Sequence, residues 1–161
     1  MDELIKVGMA DLNVCLPPKG LTTLGLGSCV GIVLYDPITK VSGLAHIMLP
    51  DSTKIKNNSN IAKFADTAVD KMIDDMSRIG ANKNRLIGKL AGGAQMFSFN
   101  STNDLMRVGE RNIMAAREKL QSLGIRIIAE DTGLNYGRTI EFYPETGELW
   151  IKTIGKPLKI I

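Results

Sequence analysis

The sequence predicts a single-domain α/β sandwich in which two long helices pack on a mixed sheet. Its 161 residues are enough for one domain with one hydrophobic core. Two segments place apolar residues at helical spacing, and short β-branched runs lie before, between and after them. No internal repeat or low-complexity segment interrupts this pattern, so we expect residues 1–161 to fold as one unit.

The first part of the chain predicts strands. The alternating stretch IKVGMADLNVCL, residues 5–16, is typical of a half-buried strand, and PPKG ends it. The β-branched runs CVGIVLYD and VSGLAHIML, residues 29–36 and 41–49, are joined by a PITK turn. These two runs predict a hairpin with Cys29 at its start and His46 in its second strand.

Two amphipathic helices are expected farther along. Apolar residues recur at helical spacing over residues 61–79, and Ser59 or Asn60 in the preceding polar loop could cap this helix. A second helix is predicted from about residue 104 to residue 123, where Gly124 ends it.

The remaining apolar runs predict strands. RLIGKLAGGAQMF, residues 85–97, is typical of a buried strand broken by two glycines. IRIIAEDTG, residues 125–133, predicts another buried strand. The two alternating runs of RTIEFYPETGELWIKTI, residues 138–154, meet at a PETG turn and predict a second hairpin.

Composition narrows the classes of partner and compartment. Lysine and arginine total 20 against 17 aspartates and glutamates, a formal net charge of +3, and the basic residues are scattered among acidic ones. Nucleic acid is therefore not expected as a partner. No apolar segment is long enough to span a bilayer, and the start MDELIKVG lacks the features of a secretory signal. We expect a cytoplasmic protein without direct membrane insertion.

The stretch TLGLGSCVGIVLYDP places Cys29 between a glycine-rich turn and an apolar strand. A dinucleotide fingerprint would need a third glycine and a following helix, so nucleotide binding is not expected here. Backbone N–H groups at Gly27 and Ser28 could instead face an oxyanion. His46, the only histidine, would lie beside Cys29 and activate its thiol. Thr23 could orient the imidazole through its hydroxyl or through its main-chain carbonyl.

The same residue types also occur without catalysis. A buried cysteine is most often a small apolar residue, which is our interpretation of Cys15, and a lone histidine in an apolar strand is often part of the core. A zinc site of Cys15, Cys29 and His46 is not expected, because the sequence offers neither a fourth ligand nor a C-x-x-C pair. A structural disulfide is not expected in a reducing cytoplasm.

Five blocks of sequence point to a known family. TLGLGSCVGIVLYDP, GLAHIMLP, AGGAQMF, GERN and DTGLNYGRTIEF occur in this order and resemble the CheD family of bacterial chemoreceptor glutamine deamidases, from about residue 7 to residue 154. The family uses a Cys-His-Thr arrangement, which falls on Cys29, His46 and Thr23. Its fold is similar to the deamidase domain of cytotoxic necrotizing factor, an α/β sandwich.

The resemblance implies a hydrolase that converts glutamine side chains of methyl-accepting chemotaxis receptors to glutamates through a cysteine thioester, without metal or cofactor. It also implies binding to the phosphatase CheC, which the family stimulates. An exposed partner contact would lie in AGGAQMF, at Gly92, Gly93 and Phe97, although a strand that ends in a loop explains the same letters. Many members have a second glycine where this chain has Leu134, which leaves the conformation of that loop open.

Two other functions are compatible with these residues. One is a non-catalytic chemotaxis adaptor that binds CheC or receptor helices while Cys29 is merely buried. The other is a cysteine peptidase, which would use the same groups for acyl transfer to water. The reactivity of the Cys29 thiol separates the adaptor from the enzymes, and cleavage of peptide bonds separates the peptidase from the deamidase.

Overall fold

The computed structural model describes residues 3–96 and 107–161, which form ten strands and two α-helices. The strands are β1 (Leu4–Lys6), β2 (Asp11–Cys15), β3 (Gly20–Leu26), β4 (Val30–Tyr35), β5 (Ser42–Ile47), β6 (Ile87–Gly92), β7 (Arg126–Thr132), β8 (Arg138–Tyr143), β9 (Glu148–Lys152) and β10 (Lys159–Ile160). The helices are α1 (Ala65–Arg78) and α2 (Val108–Ser122). Neither of these two helices has the length and apolar character needed to cross a bilayer.

The described strands form two five-stranded mixed sheets, whereas the sequence predicts only one. Sheet 1 has the order β1-β3-β8-β9-β10, in which β1 and β3 are parallel. Sheet 2 has the order β2-β5-β4-β6-β7, in which β6 and β7 are parallel. Both helices pack on one face of sheet 2, and sheet 1 covers its other face. The fold is therefore an α/β sandwich with three layers.

The central strands β4 and β5 are buried along their whole length. Side chains alternate along β4, so that Ile32 and Leu34 pack against the helices while Val33 and Tyr35 pack against sheet 1. A strand that is covered on both faces needs no polar side. This explains why both runs are continuously apolar in the sequence.

The first strands differ most from the prediction. Residues 5–16, for which one strand is predicted, contain the end of β1 and all of β2, which belong to different sheets. Ala10 takes a left-handed φ of 58° in the turn between them. The strand β3 is not predicted, because Gly25 and Gly27 indicate a turn. In the structure, Gly25 lies in a bulge within this strand, with φ 68°.

Both predicted helices are present, and the first of them starts later than predicted. Asn60 caps a separate 3-10 turn, Ile61–Lys63, and Phe64 then returns to extended backbone, so α1 begins only at Ala65. The predicted start of the second helix near residue 104 lies outside the described residues, and α2 is described from Val108.

The turn between β4 and β5 is held by a buried carboxylate. Asp36 accepts hydrogen bonds from the backbone N–H of Ile38 and of Asn82, and from two nitrogens of Arg85 at 2.9 and 3.1 Å. Burial alone would raise the pKa of Asp36, but these hydrogen bonds, Arg85 first, hold it well below its usual range. The predicted hairpin is confirmed, and its register is fixed from this end.

Gly92 and Gly93 are buried at the end of β6, which corrects the expectation that these two glycines are exposed. A Cβ on Gly92 would collide with the carbonyl oxygen of Cys29, and one on Gly93 with the side chain of Ile113. Both glycines have positive φ, of 102° and 70°. They allow the end of β6 to pack closely against both the Cys29 turn and α2. Phe97, the third residue predicted for this contact, lies outside the described residues.

We expect Gly92→Ala to destabilise the fold by about 3 kcal/mol or more, because a Cβ has no room beside the backbone of Cys29. Gly124→Ala is the matched control, since Gly124 has φ 71° but no atom within 4 Å of its Cβ position. That substitution should cost only about 1 kcal/mol of backbone strain. Urea denaturation measures both free energies of unfolding, and equal losses would contradict the packing argument.

Candidate active site

Cys29 and His46 lie on the β4–β5 hairpin, in the layer between the two sheets. Gly31 pairs directly with His46, and Cys29 precedes Gly31 by two residues. Side chains two residues apart along a strand point to the same face, so the thiol and the imidazole are diagonal neighbours. Cys29 packs with apolar residues of this layer. The two side chains are 8% and 1% exposed, respectively.

Thr23 contacts His46 from the opposite sheet. Its hydroxyl oxygen lies 2.6 Å from His46 Nδ1 and 2.7 Å from the carbonyl oxygen of Val7. A carbonyl only accepts, so the single hydroxyl proton is donated to Val7, and the hydroxyl oxygen accepts from Nδ1–H. The neutral ring therefore carries its lone pair on Nε2. Of the two atoms of Thr23 that could orient the imidazole, this geometry uses the hydroxyl.

The second ring nitrogen of His46 is buried and unpaired. Nε2 forms no hydrogen bond with any residue that the structure describes, Cys29 included. Buried polar atoms are normally paired, because an unpaired one loses the hydrogen bonds that water would give it. This nitrogen is therefore available to accept a proton from a neighbouring thiol.

Burial sets the charge state of the pair. It lowers the pKa of His46 below the usual 6.5 and raises the pKa of the Cys29 thiol above 9, although the backbone N–H of Cys29 acts in the opposite direction. At neutral pH the site therefore holds a neutral thiol beside a neutral imidazole. This differs from the preformed thiolate and imidazolium that activate many reactive cysteines.

The turn before Cys29 is anchored through its carbonyl groups. The carbonyl of Gly27 accepts from Ala94 N–H at 2.8 Å, and that of Cys29 accepts from Gly93 N–H at 2.8 Å. The carbonyl of Ser28 accepts from the side chain of Asn112 on α2 at 3.0 Å. None of the hydrogen bonds among the described residues uses the backbone N–H of Ser28 or of Cys29 for a protein oxygen. These two donors are available to a ligand.

Exposed apolar side chains lie near the site. A cleft of about 200 Å³ opens beside Thr23, where Met9 and Leu24 line it and are more than half exposed. At the turn, Met96 packs close to Gly27 and is also exposed. These side chains give the site an apolar rim that suits contact with the surface of another protein.

The loop that contains Leu134 keeps a conformation suited to glycine. Leu134 has a left-handed φ of 61°, and its carbonyl accepts from Gln95 N–H at 2.9 Å. The neighbouring Gly133 N–H donates to the carbonyl of Gly92 at 2.9 Å. With Leu134 in the DTGLNYGRTIEF block, this loop therefore remains hydrogen-bonded to the end of β6 and to the segment that follows it.

The structure does not bring Cys15 to the site. Cys15 pairs with Ser42 at one end of the β2–β5 ladder, whereas His46 pairs with Asp11 at the other end. The Cys15 thiol donates to the carbonyl of Lys19 at 3.4 Å, and burial raises its pKa to about 11 despite the Lys19 charge. Both cysteines are free thiols.

Two contributors to this arrangement are missed by sequence reasoning. Val7 acts through its carbonyl, which every residue has, so no sequence signal marks it. Asn112 is the asparagine of GERN and is fully buried on α2. A polar residue on the apolar face of an amphipathic helix is the signal that could have singled it out.

Comparison with known proteins gives a consistent family. The family model described as CheD chemotactic sensory transduction matches residues 48–153. The probable chemoreceptor glutamine deamidase CheD of Lachnoclostridium phytofermentans is 67% identical over 161 residues, which is all of both chains. The probable chemoreceptor glutamine deamidase CheD of Caldanaerobacter subterraneus is 62% identical over 159 residues, covering 99% of this chain and 98% of the relative.

A third relative, the chemoreceptor glutamine deamidase CheD of Halalkalibacterium halodurans, is 57% identical and covers 96% of both chains. Among solved structures, the Bacillus licheniformis protein YfiH gives a TM-score of 0.41 at 17% identity, over 72% of this chain and 51% of that one. The likeness to the domain of cytotoxic necrotizing factor stays a prediction.

The family match begins two residues after His46 and extends over well more than half of the chain. The first of these relatives aligns over the whole chain, including the segment that holds Thr23, Cys29 and His46. On this match and these identities, the chain belongs to the CheD family of chemotaxis proteins.

Proposed function

We propose that this chain is a protein-glutamine deamidase that hydrolyses glutamine side-chain amides of chemotaxis receptors to glutamates. The observation that carries the proposal is the His46 ring: Thr23 fixes its tautomer, and its unpaired Nε2 lies in the same layer as the Cys29 thiol. The relatives are named chemoreceptor glutamine deamidases, which supports the same reaction and the same class of substrate.

The first step forms the covalent bond. His46 Nε2 accepts the thiol proton, and the Cys29 sulfur attacks the carbon of the glutamine amide. A carbon–sulfur bond forms while the electrons of the C=O double bond move to the oxygen. The backbone N–H groups of Ser28 and Cys29 donate hydrogen bonds to this oxyanion. The neutral charge state of the pair favours a mechanism in which His46 acts as a general base.

The second step releases ammonia and then glutamate. The imidazolium of His46 donates its proton to the amide nitrogen, the carbon–nitrogen bond breaks, and a thioester on Cys29 remains. Water then attacks the thioester and gives a proton to His46, and the carbon–sulfur bond breaks as the sulfur regains a proton. One water is consumed for each ammonia released, and the scheme uses no metal or organic cofactor.

We also infer, from the family resemblance, that the chain binds the phosphatase CheC. The exposed Met96, which precedes Phe97 in AGGAQMF, supports an apolar contact in this segment. A non-catalytic adaptor that binds CheC or receptor helices is the alternative function. That alternative requires an unreactive Cys29, whereas the unpaired Nε2 of His46 supports an activated one.

Incubation with a receptor cytoplasmic fragment should raise the mass of particular glutamines by about one dalton, as an amide becomes an acid. Cys29→Ala should abolish this gain, because the thiol forms the covalent intermediate. Cys15→Ala is the matched control and should retain activity, since Cys15 lies far from His46 along the ladder. Peptide-level mass spectrometry measures the change. Equal activity in wild type and Cys29→Ala would refute the mechanism, no gain with wild type would favour the adaptor, and cleaved peptides would favour the peptidase.

We expect the Cys29 thiol to become more reactive throughout the range from pH 7 to above 9. Burial raises the thiol pKa and lowers that of His46, so no thiolate is stabilised at lower pH. The rate of iodoacetamide alkylation in the Cys15→Ala background measures this dependence. A rate that reaches its plateau below pH of about 6 would instead demonstrate a preformed thiolate–imidazolium pair.

The hydroxyl of Thr23 should matter more than the shape of its side chain. Thr23→Val keeps the shape but removes the acceptor for Nδ1–H, so we expect kcat/KM to fall about a hundredfold. Thr23→Ser keeps the hydroxyl and should retain most of the activity. Steady-state ammonia release from both variants tests this, with thermal melts to verify folding. Similar kcat/KM values for the two folded variants would exclude the hydroxyl as the group that orients His46.

A further inference from the structure

Asn112 joins the two strands of the active-site hairpin. It is fully buried on α2, and its side-chain Nδ2 donates to the carbonyl of Ser28 at 3.0 Å and to the carbonyl of Met48 at 2.9 Å. Carbonyl oxygens only accept hydrogen bonds, so chemistry determines which end of the amide points toward them. Both protons of the NH₂ group are therefore used.

The two carbonyls belong to residues close in sequence to Cys29 and His46, on which the proposed reaction depends. Ser28 directly precedes Cys29, and Met48 follows His46 by two residues. The pairing of Val30 with Ile47 brings the start of β4 next to the end of β5. One amide thus fixes the turn that carries the nucleophile relative to the strand that carries the base.

The bond to Ser28 also sets the direction of the next N–H. A trans peptide unit points its C=O and its N–H in opposite directions. Because the Ser28 carbonyl points to Asn112 on the helix side, the Cys29 N–H points away from the helix. The Cys29 side chain packs in the layer between the two sheets, which is also the side away from the helices. Among the described residues it donates to no protein oxygen.

We propose that Asn112 is a positioning residue that orients the backbone N–H of Cys29 as an oxyanion donor. This inference rests on the proposed deamidase function and adds a residue to it. Asn112 touches neither substrate nor thiol in this scheme, and it acts through the Ser28–Cys29 peptide.

The unused end of the amide argues against a role in packing alone. Asn112 Oδ1 is buried and has no hydrogen-bond partner among the residues that the structure describes. An apolar side chain of similar size would avoid this unpaired oxygen on the buried face of α2, which also carries Ile113 and Ala116 of the apolar core. The position therefore favours asparagine for its two donated hydrogen bonds.

A donor for the oxyanion acts only when negative charge develops on the amide oxygen. Loss of Asn112 should therefore lower kcat and leave KM nearly unchanged. Alkylation of Cys29 by iodoacetamide is a displacement at a saturated carbon, which develops no oxyanion. It should proceed at the wild-type rate when only the donor is lost, and more slowly when the thiol and His46 are themselves displaced.

The experiment compares Asn112→Leu and Asn112→Ser with wild type and with Leu120→Ala. Leucine keeps the size of the side chain without a donor, and serine is a smaller variant with a donor too short to hold both carbonyls. Leu120 is buried on the same helix, so its truncation reports the effect of a loosened α2. Ammonia release, Cys29 alkylation and thermal melts are measured for each protein.

We expect kcat to fall about tenfold to a hundredfold in both Asn112 variants, somewhat less than when an oxyanion donor is removed outright. Their KM and alkylation rates should stay near wild type, and Leu120→Ala should keep its kcat despite a lower melting temperature. Unchanged kcat in either folded Asn112 variant, or a parallel loss of kcat and alkylation, would overturn the inference alone. A wild-type protein that releases no ammonia would overturn the proposed function and this inference with it.

Discussion

The hydrogen bond between the Thr23 hydroxyl and His46 Nδ1 crosses from one sheet to the other, and the geometry of the candidate site depends on it. It requires the sheets to approach closely at this end of the sandwich. Gly31, directly opposite His46, permits that approach: a Cβ there would lie 2.8 Å from Ile140 and 3.2 Å from Leu26, both on sheet 1. The close approach of the two sheets therefore permits the hydrogen bond that fixes the tautomer of His46. That tautomer in turn leaves the lone pair on Nε2.

Burial strengthens the hydrogen bonds of this site but makes its thiol less nucleophilic. It removes water from around Cys29 and His46, which strengthens hydrogen bonds and keeps both groups neutral. A neutral thiol is a poor nucleophile, so the proposed reaction requires the negative charge to be generated when the substrate is present. The free donors of the Ser28–Cys29 turn are then needed, because in a dry layer little else can stabilise new negative charge.

The sequence predicts the features that depend on local pattern. β-branched runs around PITK identify the β4–β5 hairpin, and with it the diagonal placement of Cys29 and His46. Local pattern shows that a face is buried but not what covers it, so two sheets were indistinguishable from one. The strand β3 is missed because Gly25 suggests a turn, whereas the structure uses it in a bulge. Asn112 acts on residues far away in the chain, which no local periodicity shows.

The candidate site takes its residues from both sheets and from α2, so it forms only as these parts of the chain pack together. The hairpin can form from neighbouring residues, and it alone places the thiol near the imidazole. Until sheet 1 docks and α2 packs, however, the ring lacks the Thr23 hydroxyl and the turn lacks Asn112. A partly folded chain therefore contains an ordinary cysteine. The arrangement that the proposed reaction needs is complete only when sheet 1 and α2 have both packed on the hairpin.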